Sequence, residues 1–226
     1  MNEQRRILLR TGGGALGLLA IAGSRAVLSA AQATKGKKVP ADLQAARDTL
    51  LPEMEANQGI GVPRGDGDFL YLMVHAANAK NVLEVGTYRG YSAIRMGLGL
   101  EQTGGRLTTI DIDPDRVREA RGNFESAGLA DRITSLEGDA HEVVKSLEGP
   151  FDLAFLDAEK GNEVDYFNSI FPKLRRGGFI LLHNAISSKK AMKPYLDMVA
   201  KHPEIIHVVL SLSLQDGFSV SYRYAY

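Results

Sequence analysis

From residue 81 onward, short β-rich or apolar runs alternate with longer segments of helical pattern, and that alternation leaves few folds open. The runs are 81–86, 106–112, 132–136, 151–156 and 178–182. Those that are apolar at nearly every position belong to strands buried on both faces. Residues 91–100, 114–127, 140–147, 164–174 and 189–201 carry apolar residues at helical spacing, and Asp113 followed by Pro114 marks a helix start. Strands that alternate with helices predict a mostly parallel sheet covered on both sides. Two last strands, 205–210 and 218–222, have no helix between them. Joined through Gln215-Asp216-Gly217, they predict an antiparallel hairpin. The expected fold is α/β, a Rossmann-like doubly wound seven-stranded mostly parallel sheet with an antiparallel C-terminal hairpin strand.

Ahead of the first strand, 41–57 reads as an amphipathic helix interrupted near Pro52, with Leu43, Ala46, Leu50 and Met54 on one side. Residues 57–67 hold four glycines and a proline and read as a loop. Residues 68–79 read as a helix with Leu70, Met73, Val74 and Ala77 on one face.

The first 33 residues read as an address. Arg5-Arg6 precede an uncharged run over 11–23, which ends near the small-x-small site Ala31-Gln32-Ala33. Charged, mildly apolar, then small is the order of a secretory signal. Paired arginines before a glycine-softened core resemble a twin-arginine signal. The expected organisation is a signal peptide over 1–33, a linker over 34–40 and one domain over 41–226. The expected destination is outside the cytoplasm, in the periplasm; the alternative is an N-terminal membrane anchor. The run is too short and glycine-rich for a comfortable span, so no stable span is expected in the mature form.

With 27 Lys and Arg against 27 Asp and Glu, the net charge is zero, which argues against nucleic acid as partner. The absence of Cys excludes disulfides, thiolate metal sites and a Cys nucleophile.

In open α/β sheets ligands bind beyond the carboxyl ends of the strands. The loops there hold Gly86-Thr87-Tyr88-Arg89-Gly90-Tyr91-Ser92, Asp111-Ile112-Asp113, Gly138-Asp139-Ala140, Asp157-Ala158-Glu159-Lys160 and His183-Asn184. The first loop spaces its glycines Gly-x-x-x-Gly, not the Gly-x-Gly-x-x-Gly that seats a dinucleotide pyrophosphate. With Asp111 closing the second strand, the pair suits a nucleoside whose ribose hydroxyls meet a carboxylate. On the residues alone, an ordinary strand-to-helix turn and a solvated Asp111 stand beside that reading. Asp113 is the better helix cap, which leaves Asp111 free.

Val82-Leu83-Glu84-Val85-Gly86-Thr87-Tyr88-Arg89-Gly90-Tyr91-Ser92 resembles motif I of the class I S-adenosylmethionine (SAM)-dependent O-methyltransferases, the group containing catechol and caffeoyl-CoA O-methyltransferases. The likeness continues through Ile110-Asp111-Ile112-Asp113-Pro114, Gly138-Asp139-Ala140, the stretch 151–160, the stretch 174–180 and Asp216-Gly217-Phe218. The resemblance implies methyl transfer to a hydroxyl of a small, phenolic or catechol-like acceptor, and leaves room for a homodimer. It implies SAM-binding roles for Glu84, Gly86, Thr87, Tyr88, Gly90, Ser92, Asp111, Ile112, Asp139, Ala140 and Asp157. Glu84, Gly86 and Ser92 would surround the methionine portion, Asp111 the ribose, and Asp139 with Ala140 the adenine. Asp157 would ligate a divalent metal, and Lys160 would lie beside the acceptor hydroxyl.

The family's metal also uses an Asp-Asn pair after the fifth strand, where this chain has His183-Asn184. Imidazole in place of a carboxylate removes a charge and offers nitrogen, so a site of Asp157, His183 and Asn184 should favour Mn, Fe, Co or Zn over Mg, or hold no metal. His183 could instead serve as a neutral general base, or be a strand-end histidine bonded to a neighbouring loop. Asp157, Lys160 and His183 are thus the candidate catalytic residues, with Asp157 and Lys160 as a mere surface ion pair the plainer reading. His75, His141, His202 and His207 show no partner pattern. Residues 59–67 and the first helix are expected to cover the acceptor. Two other functions stay open: an exported, non-catalytic ligand-binding protein of the same fold, and a nicotinamide-dependent oxidoreductase.

Overall fold

The computed structural model describes residues 39–211 and 216–224. The expected signal peptide and most of the expected linker lie outside the described residues. Helices α1 (Ala41–Ala56) and α2 (Arg64–Ala76) come first, followed by β1 (Asn81–Val85), α3 (Tyr91–Thr103), β2 (Arg106–Asp111), α4 (Pro114–Ser126) and β3 (Ile133–Glu137). Then come α5 (Ala140–Ser146), β4 (Phe151–Leu156), α6 (Glu163–Ile170), β5 (Leu174–His183), α7 (Lys193–Val199), β6 (Ile205–Leu210) and β7 (Phe218–Arg223).

The seven strands form one sheet in the order β3-β2-β1-β4-β5-β7-β6. The first five are parallel, and β7 runs antiparallel between β5 and β6. This is the expected doubly wound, Rossmann-like sheet. Strand order reverses between β1 and β4, so the loops after these two strands diverge and leave a crevice.

The period-2 rule sorts the strand residues between two cores. Val82, Leu107, Leu153 and Phe155 pack with Leu70, Ile94, Leu100 and Phe124 of α2, α3 and α4. Leu83, Val85, Ile110, Ala154 and Leu156 pack on the opposite face with Val144, Phe167, Ile170 and Tyr195 of α5, α6 and α7. Because both faces are covered, these strands read as apolar runs and not as alternating ones.

Several boundaries differ from the sequence reading. Helix α2 begins at Arg64, inside the stretch expected to be a loop. One of its two glycines serves packing: a Cβ on Gly67 would lie 2.8 Å from the Tyr91 ring, so glycine lets α2 close on α3. Helix α1 runs unbroken through Pro52. Helix α7 starts at Lys193 and not at 189, with Pro194 in its first turn, where a missing N–H costs nothing. Strand β5 begins earlier than expected, at Leu174. Among the described residues, no helix is long and apolar enough to cross a membrane.

Candidate active site

The crevice between β1 and β4 opens into a cavity of about 710 Å³. Its floor is the loop after β1. There Gly86 adopts φ +97°, and a Cβ on it would lie 2.3 Å from the Asp157 carbonyl oxygen. Only glycine satisfies both constraints, so the chain passes close to the end of β4 and leaves the space above it open.

The carboxylate of Asp111, at the end of β2, holds this loop. Its Oδ2 accepts the backbone N–H groups of Thr87 at 3.1 Å and Tyr88 at 2.8 Å, and its Oδ1 accepts that of Asp113 at 3.0 Å. Asp113 caps α4 as expected, accepting from Asp115 N–H. Asp111 is therefore not free of partners; it shapes the loop while still lining the cavity. Three of the carboxylate's four lone pairs are engaged in this way, and the fourth, on Oδ1, is left for a ligand hydroxyl. Tyr88 carries φ +48°, a conformation that non-glycine residues rarely adopt, and the Arg116 guanidinium lies 5.3 Å above its ring.

Of the residues expected at the cofactor, Gly86, Thr87, Tyr88, Ser92, Asp111, Ile112, Asp139, Ala140 and Asp157 line this cavity. Glu84 and Gly90 do not. Gly90 turns its Cα toward the Phe124 ring, where a Cβ would meet it at 2.5 Å, so its place is the α3–α4 contact. Glu84 lies one layer below, fully buried, accepting from Ser92 Oγ and Thr109 Oγ1 at 2.5 Å each. Burial pushes its carboxyl up to about 8, against the lowering effect of those two hydroxyls. Glu84 is thus a support for the loop and for Ser92, not a contact of the cavity.

The other wall carries the ionic groups. Lys160 Nζ donates to Asp157 Oδ1 at 2.9 Å, and both side chains are mostly buried. Burial would raise Asp157, but the bond from His183 and the charge of Lys160 outweigh it and hold the carboxyl below its ordinary value. His183 lies beneath, buried and not lining the cavity. Its Nδ1 is 3.2 Å from Asp157 Oδ2 and its Nε2 2.9 Å from Asp66 Oδ2. Burial alone would lower the imidazole; the two carboxylates prevail and push it up to about 9. At neutral pH it is an imidazolium, so it is not the neutral general base considered from sequence. Asn184, at φ +62°, lines the cavity and donates from Nδ2 to Asp216 Oδ1 at 3.1 Å.

Sequence reasoning missed three groups. Asp66 is fully buried in the first turn of α2. Had that helix been started at Arg64, Asp66 would have stood at i, i+4 and i+8 with Leu70 and Val74, a lone acid on an apolar stripe. His141 had no visible partner, yet it lines the cavity. It stacks on Tyr166 with ring centroids 4.4 Å apart, and its ring nitrogens face Asp165 and Glu159. Glu159 Oε1 also accepts from Tyr166 Oη at 2.6 Å and Asn162 Nδ2 at 3.0 Å. No local signal joins these residues, because α5, α6 and the β4 loop meet only in the fold. Ile60, Gly61 and Val62 line the cavity, within the stretch expected to cover the acceptor.

The O-methyltransferase family matches residues 43–220. The chain is 35% identical over 156 residues to a catechol O-methyltransferase of Mycobacterium tuberculosis, covering 64% of this chain and 70% of that one. It is 36% identical over 137 residues to a catechol O-methyltransferase of Niastella koreensis, covering 59% and 62%. An O-methyltransferase from Bacillus cereus, solved in complex with SAH, superposes with a TM-score of 0.70 at 27% identity, covering 86% of this chain and 97% of that one. The cavity at the sheet's switch point and these matches agree on one class of enzyme. This chain belongs to the O-methyltransferase family, as a class I SAM-dependent methyltransferase. That membership sets aside the nicotinamide reading.

Proposed function

We propose that this chain moves the methyl group of SAM to a hydroxyl of a small phenolic, catechol-like acceptor. The observation that carries the reading is a cavity in which the Asp111-clamped glycine loop faces the Lys160–Asp157 ion pair. The names of the two catechol O-methyltransferase relatives support the acceptor class. When bound, SAM supplies a methyl carbon already activated on a sulfonium.

The chain's own residues then have three tasks. Asp111 accepts a ribose hydroxyl and, through Thr87 and Tyr88, keeps the loop in the shape that admits the methionine portion. Ile60 and Val62 cover the acceptor and exclude water, which strengthens every charge interaction inside. Lys160 spends one N–H on Asp157 and has two left for the acceptor oxygen. Its positive charge favours loss of the hydroxyl proton to solvent as the acceptor enters, before water is excluded, and stabilises the oxyanion that attacks the methyl carbon. Holding that oxygen in line with the bond that breaks accounts for much of the rate.

The test is methyl transfer from SAM to a panel of catechols, monophenols and aliphatic alcohols, read as methylated product. Product from the catechols is expected, and product only from aliphatic alcohols would overturn the acceptor class. Export by the segment 1–33 is a separate proposal, resting on Arg5-Arg6 and the apolar run after them. Cell fractionation tests it: the mature chain is expected in the periplasm, and an uncleaved cytoplasmic chain refutes it.

A further inference from the structure

The resemblance implies a divalent metal, but the residues at its place do not fit one. The implied ligands are Asp157, His183 and Asn184. Asp157 has one oxygen on Lys160 Nζ at 2.9 Å and the other 3.2 Å from His183 Nδ1. The second ring nitrogen of His183 lies 2.9 Å from Asp66 Oδ2. Ionised carboxylates only accept, so an imidazole with one 2.9 Å from Nε2 and one 3.2 Å from Nδ1 satisfies both by carrying a proton on each nitrogen. Such a ring has no lone pair for a metal. Asn184 turns its amide N–H to Asp216.

The charges point the same way. Asp66 and Asp157 contribute two negative charges, and His183 and Lys160 contribute two positive ones. A divalent ion between two carboxylates would supply the same balance. Here the cations are side chains, already desolvated and already bonded. Removing either would leave a buried carboxylate uncompensated, at a large cost. A metal entering this place would have to displace the ring proton and break both of its bonds.

We infer that the buried chain Asp66–His183–Asp157–Lys160 stands in for the divalent metal of the family, so that methyl transfer by this protein needs no metal ion. Asp66 is the positioning residue. It comes from α2, outside the implied ligand set, and it fixes the ring that fixes Asp157, which in turn orients Lys160. The inference rests on the proposed methyl transfer for its activity arm only.

The rival occupant is a softer ion held by Asp66, His183 and Asp216, whose ligand atoms lie within 4.8 Å of one another. The experiment separates the two. The full-length protein is purified without added metal, treated with a chelator and analysed by plasma mass spectrometry. It is then titrated calorimetrically with magnesium, manganese and zinc in turn, and methyl transfer is compared with chelator and with each ion. Substoichiometric metal, no saturable heat and rates equal within about twofold are expected. Stoichiometric metal, saturable binding of any of the three ions, or a loss beyond about tenfold on chelation that an ion restores would overturn the inference.

His183→Asp supplies the second arm. It rebuilds an oxygen-rich set from Asp66, Asp157 and Asn184, and is expected to gain saturable manganese or magnesium binding. A variant that binds SAM like the wild type but takes up neither ion would show that the imidazolium is not what excludes the metal. If no acceptor is methylated under any condition, the functional reading fails. Metal content and calorimetry still decide this inference.

Discussion

Glu84 offers a prediction whose size can be worked from one buried group. Its carboxyl is raised by burial to about 8 from an ordinary 4.5. Between those values the unfolded chain is ionised at this position while the folded chain keeps its proton. As far as this group is concerned, stability is complete below pH 4.5 and is lost as pH rises through 8. That interval, at 1.36 kcal/mol per pH unit, amounts to about 5 kcal/mol. His183 acts in the same direction: raised to about 9 from 6.5, it holds its full contribution below 6.5 and loses it as pH passes 9. A single alkaline decline would therefore mix the two groups. Glu84→Gln separates them, because an amide keeps the shape and most of the bonding to Ser92 and Thr109 without a charge to bury. Urea unfolding of both proteins from pH 5 to pH 9 is the assay. Wild type is expected to lose several kcal/mol relative to the variant across this range, so the variant becomes the more stable protein at the alkaline end. Parallel curves for the two proteins would refute the claim that a neutral carboxyl lies under the loop.

Two further outcomes follow from the cavity walls. Gly86→Ala places a Cβ 2.3 Å from the Asp157 carbonyl at φ +97° and is expected to cost about 2–4 kcal/mol in urea unfolding, with SAM affinity falling too; wild-type stability would contradict the close approach. Lys160→Ala is expected to leave SAM affinity unchanged in calorimetry and to slow product formation by about 100-fold or more; an unchanged turnover would remove Lys160 from the reaction.

Much of the fold was legible because the sheet is covered on both faces. Residues 81–86 and 151–156 have apolar side chains on two sides, which no surface strand can afford, so the strands and their order along the chain could be read. The rim residues Gly86, Asp111 and Asp157 were legible for a related reason, since each ends a strand at the edge where ligands collect. What stayed hidden depends on contacts between distant segments. Gly67 looked like a loop residue because its packing partner, Tyr91, is more than twenty positions away. The same misreading hid Asp66, which α2 alone brings to His183. His141, Asp165 and Glu159 meet only once α5, α6 and the β4 loop are in place. His183 was visible as a departure at the metal position, but its charge is set by Asp66, and so its role could not be read without the fold.

The proposed methyl transfer depends most on a nucleoside being held by the acid that closes β2. Calorimetric titration of SAM into the wild type and into Asp111→Ala tests this directly. Binding is expected in the wild type with one site per chain, weakened by about 100-fold or more in the variant as the ribose bond and the loop clamp are lost together. Equal affinity in the two proteins, or no binding to the wild type, would contradict it.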